Sequence, residues 1–126
     1  MGEVQFFRGY TLFLCKQHAN ELHQLEPSFK LDFLEEMSLV AQAVFEAFHP
    51  VKLNYELLGN GEPHLHWHLF PRHHDDPLPK LPLWLIDYEL RYGEKAHPDD
   101  AQLRALKGEL FTSLERIAPD HIRRSA

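Results

Sequence analysis

Three histidines alternate with large apolar residues in the run His64-Leu65-His66-Trp67-His68-Leu69-Phe70. In extended backbone, successive side chains point to opposite faces. His64, His66 and His68 therefore share one face, and Leu65, Trp67 and Leu69 share the other. The apolar set suits burial, which turns the imidazoles toward solvent or a cleft. A neutral imidazole is a nucleophile near neutral pH, because its unperturbed pKa is ~6.5. Histidine accounts for 10 of the 126 residues, so the question is what this cluster does that the scattered ones do not. His18 and His23 fall in a polar stretch, and His49, His97 and His121 fall at element ends.

Three readings of the run compete. Solvated or packed histidines are the plainest, but strict alternation with large apolar residues argues against them. A metal site is the second. Alternate histidines are able to share a zinc ion, yet the outer Cα atoms of the run lie about 13 Å apart on an extended strand. A ligating histidine keeps its Cα within roughly 6.5 Å of zinc, given Zn–N bonds of ~2 Å. A metal would therefore use two of the three with His73, His74, Asp75 or Asp76. The third reading is phosphate chemistry. One ring attacks phosphorus, and neighbours two residues away donate hydrogen bonds to oxygens that gain charge. Backbone N–H groups of the turn Gly59-Asn60-Gly61 add to that cradle, since glycine lets the chain approach an anion closely.

The elements that would hold the run are readable from periodicity. Tyr10 to Cys15 is aromatic and β-rich, bounded by Gly9 and Lys16, and predicts a buried strand. Glu3 to Arg8 suggests a strand before it. The polar stretch after Lys16 predicts a loop with a short helical turn. Pro27-Ser28 opens a long helix whose apolar positions Leu31, Leu34, Met37, Val40 or Ala41, Val44 and Phe48 fall near three-and-four spacing until Pro50. Val51 to Leu58 and Pro63 to Phe70 predict two strands joined by a loop of about four residues, the second closed by Pro71. Pro77, Pro79 and Pro82 break the chain. Asp99 and Asp100 then start a second helix with Leu103, Leu106, Leu110, Phe111, Leu114 and Ile117 on its apolar face. The reading is an α+β domain with a mainly antiparallel sheet, one long packed helix and an additional C-terminal helix. It is taken as a single domain over 1–126, with a core of about 9–72 and a C-terminal extension of about 77–126.

Bulk properties narrow the function. Hydrophobic residues make up 44% of the chain and charged residues 25%, ordinary values for a folded domain. The formal net charge of −6 disfavours broad binding to a nucleic-acid backbone but allows one small anion in a local pocket. No apolar run approaches the ~20 residues of a membrane helix, so no membrane partner is expected. Cys15 is the only cysteine and reads as a buried strand residue; with no internal disulfide, a cytoplasmic address is the expectation.

The run fits the His-φ-His-φ-His-φ-φ signature, and on it the chain resembles the histidine triad (HIT) superfamily. Gly9-Tyr10-Thr11-Leu12-Phe13-Leu14-Cys15-Lys16-Gln17-His18 resembles the family's Gly-His-x-Leu-φ-φ-Pro-Lys-x-His strand. Asn54 lies on the strand before the triad, where the family carries asparagine, and Phe70-Pro71-Arg72 resembles its Leu-Pro-Arg ending. The likeness covers roughly Gly9 to Arg72. It implies a HIT-like fold and a nucleotide phosphate hydrolase or transferase. His66 would attack the α-phosphorus, giving a nucleotidyl-histidine, and water would release a nucleoside monophosphate. His68 would contact phosphate oxygens and the leaving group, and His64 would support the tautomer of His66. Asn54, Asn60, Gly61, Lys16 and Arg72 are the implied substrate contacts. The substrates are dinucleoside polyphosphates, phosphoramidates or similar nucleotide conjugates. No cofactor is required for covalent attack, though magnesium suits a polyphosphate substrate, and a homodimer is implied.

The sequence departs from that pattern in places. Tyr10 stands where the family has histidine, and Cys15 where it has proline. Asn60, beside Glu62, takes the place of a phosphate-contacting Ser or Thr. The chain begins eight residues before Gly9, which implies weak base selectivity or a start truncated relative to the family. These departures keep two rival functions in view: a nucleotide sensor with vestigial turnover, and a metal-dependent hydrolase using two triad histidines.

Overall fold

The computed structural model describes residues 1–123, so 124–126 of the expected extension lie outside the described residues. Strand β1 (Thr11–Leu14) is followed by helix α1 (Pro27–Phe48), strands β2 (Lys52–Glu56) and β3 (His66–Arg72), a short helix α2 (Tyr88–Tyr92) and helix α3 (Asp100–Ile117). The strands form one antiparallel sheet in the order β1-β3-β2, which makes the histidine strand central. β1 pairs with β3 only as far as Leu69. Pro71, which has no N–H to donate, therefore meets a strand on the β2 side alone.

Helix α1 starts where the sequence places it. The Glu26 carboxylate accepts from the Phe29 amide, Pro27 takes the first turn, and His49 ends the helix in the left-handed conformation at φ 50°. Its buried residues Ala41, Val44 and Phe48 pack with Leu53 and Leu69 of the sheet and Leu110 of α3. A second cluster joins Phe33 of α1 to Cys15, Leu25 and Leu65, with Trp67 packed against it. Burying side chains such as Leu69 and Phe33 contributes about 1.5–3 kcal/mol each. The apolar half of the histidine run thus holds β3 to α1, as its alternation requires. Helix α3 is capped reciprocally by Asp99 and Gln102 and lies along α1. It belongs to the helical layer behind the sheet and does not cover the histidine face.

Three local expectations need correction. Residues Glu3 to Arg8 form no strand. The Gln5 side chain instead donates to the carbonyls of Gly2 and Tyr10 and accepts from the Gly9 amide, folding the segment into a compact loop. Gly9 has φ 94°, and a Cβ there would lie 2.4 Å from a Phe48 ring carbon, so only glycine brings the chain this close to α1. The β2–β3 connection spans 57–65 rather than about four residues, and β3 begins at His66, not Pro63. Leu65 is drawn away from β2: its amide donates to the Ala19 carbonyl and its carbonyl accepts from the Cys15 amide. The segment after Pro82, read as irregular, contains a 3₁₀ turn (Leu83–Leu85) and α2, which Asp87 caps. Five residues are too few for apolar periodicity to reveal a helix.

Candidate active site

One face of the sheet carries the site. In register, Leu14 lies opposite His66 and Leu12 opposite His68 on β1, while Glu56 lies opposite His68 and Asn54 opposite Phe70 on β2. Hydrogen bonds fix the protonation of the central rings. Nδ1 of His66 lies 2.6 Å from the His64 carbonyl oxygen. A carbonyl only accepts, so this nitrogen carries the hydrogen. The neutral ring then bears its lone pair on Nε2. That atom is 3.0 Å from Nε2 of His68, so His68 donates from Nε2 and accepts at Nδ1. The Tyr10 hydroxyl, 2.6 Å from Nδ1 of His68, supplies that proton. A single carbonyl thereby orders a chain from Tyr10 through His68 to His66.

His64 reaches His66 through its main chain. Its own ring lies before the strand, donates from Nε2 to the Cys15 carbonyl at 2.8 Å, and leaves Nδ1 buried without a partner among the described residues. His18 lies beside it, with ring centroids 5.5 Å apart. Only His66 and His68 of the run share the strand face that periodicity assigned to all three.

Burial, and secondarily His66, lowers the basicity of His68. Burial first, then Tyr92 and Glu56, raises the Tyr10 hydroxyl far above its ordinary value. Tyr10 therefore stays protonated, and His68 takes up a proton at lower pH than an ordinary imidazole. The linkage sign follows. The unfolded chain binds a proton at His68 more readily than the folded one. Stability from this group is full above the unfolded value of ~6.5 and declines as pH falls from there toward the lower folded value. Urea midpoints should accordingly fall between neutral and mildly acidic pH, and less so in His68→Gln. An equal decline in both proteins would contradict it.

A cleft of about 290 Å³ opens beside His66, walled by Asn20, His23, Leu57, Gly59 and His64. A wider hollow of about 870 Å³ shares Leu57 and Leu58 with it and runs along β2 past Asn54 and Glu56 to Trp84. Asn54 is thus on the triad face. Its Oδ1 accepts from Arg72 at 3.1 Å, which leaves its amide nitrogen as the donor toward the hollow. Asn20 and His23, which polar-loop composition did not distinguish from surface residues, line the cleft. Tyr10, expected as a departure, makes the closest side-chain contact to the triad.

The other expected contacts lie elsewhere. Arg72 is 1% exposed. It donates to Asp76 at 2.7 Å, to Asn54, and to the carbonyls of Leu78 and Leu81. Its guanidinium also stands over the Phe7 ring. The structure reassigns it from substrate contact to a buried clamp on the proline-rich loop. Lys16, Asn60 and Gly61 are exposed and line neither the cleft nor the hollow. Gly61 does not adopt the left-handed conformation that would curl the turn around an anion; Gly59 does, at φ 77°. His73 donates to the Arg8 carbonyl and Asp76 is held by Arg72. Among the described residues no three His, Cys, Asp or Glu side chains gather closely enough to hold a metal ion.

The HIT domain profile matches residues 6–75, more than half of the chain. No curated protein matches. Among solved structures, a histidine triad protein from Bradyrhizobium japonicum is 23% identical, with a TM-score of 0.75 over 88% of this chain and 78% of that one. One from Marinobacter aquaeolei VT8 is 25% identical, with a TM-score of 0.70 over 86% and 76%. A hypothetical histidine triad nucleotide-binding protein from Sulfolobus tokodaii strain7 is 17% identical, with a TM-score of 0.68 over 98% and 83%. The α+β fold is shared with all three. No helix among the described residues is long and apolar enough to cross a membrane.

Proposed function

The chain belongs to the HIT domain family, and on that premise we propose that it is a nucleotide phosphate hydrolase or transferase working through a nucleotidyl-histidine at His66. The observation that carries this reading is the bond from His66 Nδ1 to the His64 carbonyl, which leaves Nε2 of His66 unprotonated as a nucleophile. The Nε2 lone pair forms a bond to the α-phosphorus, and the bond to the leaving group breaks with its electron pair. Water then attacks phosphorus, the P–N pair returns to Nε2, and a nucleoside monophosphate and a proton leave. His68, donating from Nε2, stabilises the oxygens that gain charge. Asn20, His23 and the Asn54 amide would receive the rest of the nucleotide, a role supported by their lining the cleft and the hollow. The substrate is a small nucleotide conjugate rather than a nucleic-acid polymer, with magnesium arriving on a polyphosphate if at all. The working form is a homodimer in the cytoplasm; Leu31 and Phe45, exposed on α1, are available for its interface.

A second reading is a nucleotide sensor, favoured by the 3.0 Å contact that caps the His66 lone pair with the His68 N–H. Single-turnover assays with a dinucleoside polyphosphate separate the two. The enzyme releases nucleoside monophosphate, at a rate that falls as the solution is acidified below neutrality, because a protonated His66 has no lone pair. Tight binding without release would establish the sensor, and a rate independent of pH would rule out limiting attack by imidazole.

A further inference from the structure

A tyrosine hydroxyl behind the site changes what His68 is able to do. Tyr10 Oη lies 2.6 Å from Nδ1 of His68 and makes no other hydrogen bond among the described residues. Its ring is buried edge-on against Phe70 at 4.4 Å, so it has little freedom to withdraw. A protonated His68 would present N–H at both nitrogens. The hydroxyl would then have to turn its hydrogen away from Nδ1 with no acceptor to receive it. The charged and titratable groups around the pair are His66 on β3, Glu56 on β2, and Arg91 and Tyr92 on α2. Burial first, then Tyr92 and Glu56, keep the hydroxyl protonated.

We propose that Tyr10 is a positioning residue whose hydroxyl holds His68 as an uncharged Nε2–H donor, suiting the site to leaving groups that depart as oxyanions over amines that must take a proton. The inference rests on the nucleotidyl transfer proposed above. When the P–O bond of a dinucleoside polyphosphate breaks, the electron pair settles on a phosphate oxygen, which is stable as an anion and needs only a hydrogen bond. When the P–N bond of a phosphoramidate breaks, the nitrogen takes the pair and leaves only with a proton. A neutral imidazole is a very poor source of one, whereas an imidazolium is a good one. The chemical class favoured here is thus the phosphoanhydride.

The test compares wild type, Tyr10→Phe and Tyr10→His. Nitrogen-15 spectra of the imidazoles read the His68 tautomer without any turnover. Wild type should show Nδ1 unprotonated and Nε2 protonated, persisting to lower pH than in Tyr10→Phe. Tyr10→Phe keeps the ring and its packing but removes the donor, so the other tautomer should appear and imidazolium should form at higher pH. The ratio of kcat/KM for an alkylamine nucleoside phosphoramidate to that for a dinucleoside tetraphosphate should rise by about a hundredfold, the low end of what a proton donor supplies. Tyr10→His, which lets the proton be shared, should shift the ratio the same way. An unchanged tautomer and ratio in folded Tyr10→Phe would overturn the proposal, as would a wild type that prefers the phosphoramidate. If neither substrate turns over, the proposed function fails and the selectivity with it, while the nitrogen spectra still decide whether Tyr10 holds His68.

Discussion

Replacing His66 with alanine is expected to lower turnover of a dinucleoside polyphosphate by about four orders of magnitude or more, the scale of losing a covalent nucleophile. The fold should survive. His66 is only partly buried, and among the described residues its ring bonds only the His64 carbonyl and His68. Losing those contacts costs on the order of 1 kcal/mol. The other two histidines of the run are not placed to substitute. His68 holds its own unprotonated nitrogen toward Tyr10, and the His64 ring is turned to Cys15. The measurement is a pair: single-turnover rate and urea midpoint on the same preparation. A variant that keeps wild-type rates would show that another group attacks phosphorus. A variant that fails to fold would show that the ring carries far more packing than its exposure indicates.

The second large effect concerns stability. Arg72→Ala should destabilise the protein by about 3–5 kcal/mol, the usual cost of leaving a buried charge without its partner. The carboxylate stranded is Asp76, whose side chain is almost as buried as that of Arg72. The Leu81 carbonyl loses its Arg72 donor as well, while the Leu78 carbonyl still accepts from the Leu81 amide. Arg72→Lys keeps the charge but not the planar fork, so it should recover only part of the loss. Denaturant unfolding checks this, with the midpoint falling and the slope unchanged. Wild-type stability combined with weakened nucleotide binding would instead return Arg72 to the role of a phosphate contact.

Arg72 also shows where sequence reasoning reached its limit. Pattern carried the large elements: the long helix between Pro27 and Phe48 and the helix behind Asp99 both follow from caps and three-and-four spacing. The alternation of the histidine run correctly sends Leu65 and Leu69 into the core. Periodicity is a local property, so it failed where distant segments compete. His64 obeys the alternation in sequence but lies outside β3, because Leu65 is claimed by Ala19 and Cys15. An arginine at a strand end looks the same in sequence whether it meets phosphate or a carboxylate. Here the proline-rich loop folds back to supply Asp76 and two carbonyls. Tyr10 was visible as a departure from the family pattern. Its meaning depends on a 2.6 Å contact with a residue 58 positions away, which no local pattern encodes. Lys16, Asn60 and Gly61 were chosen for residue type, and type says nothing about which way a loop turns.

The central claim is that Nε2 of His66 forms a bond to phosphorus. Rapid acid-free quenching of wild type with a dinucleoside polyphosphate, followed by peptide mapping by mass, tests it directly. A nucleoside monophosphate adduct is expected on His66, formed within the first turnover and absent from His66→Ala. An adduct on another residue, or complete conversion of substrate with unmodified His66 throughout, would contradict it.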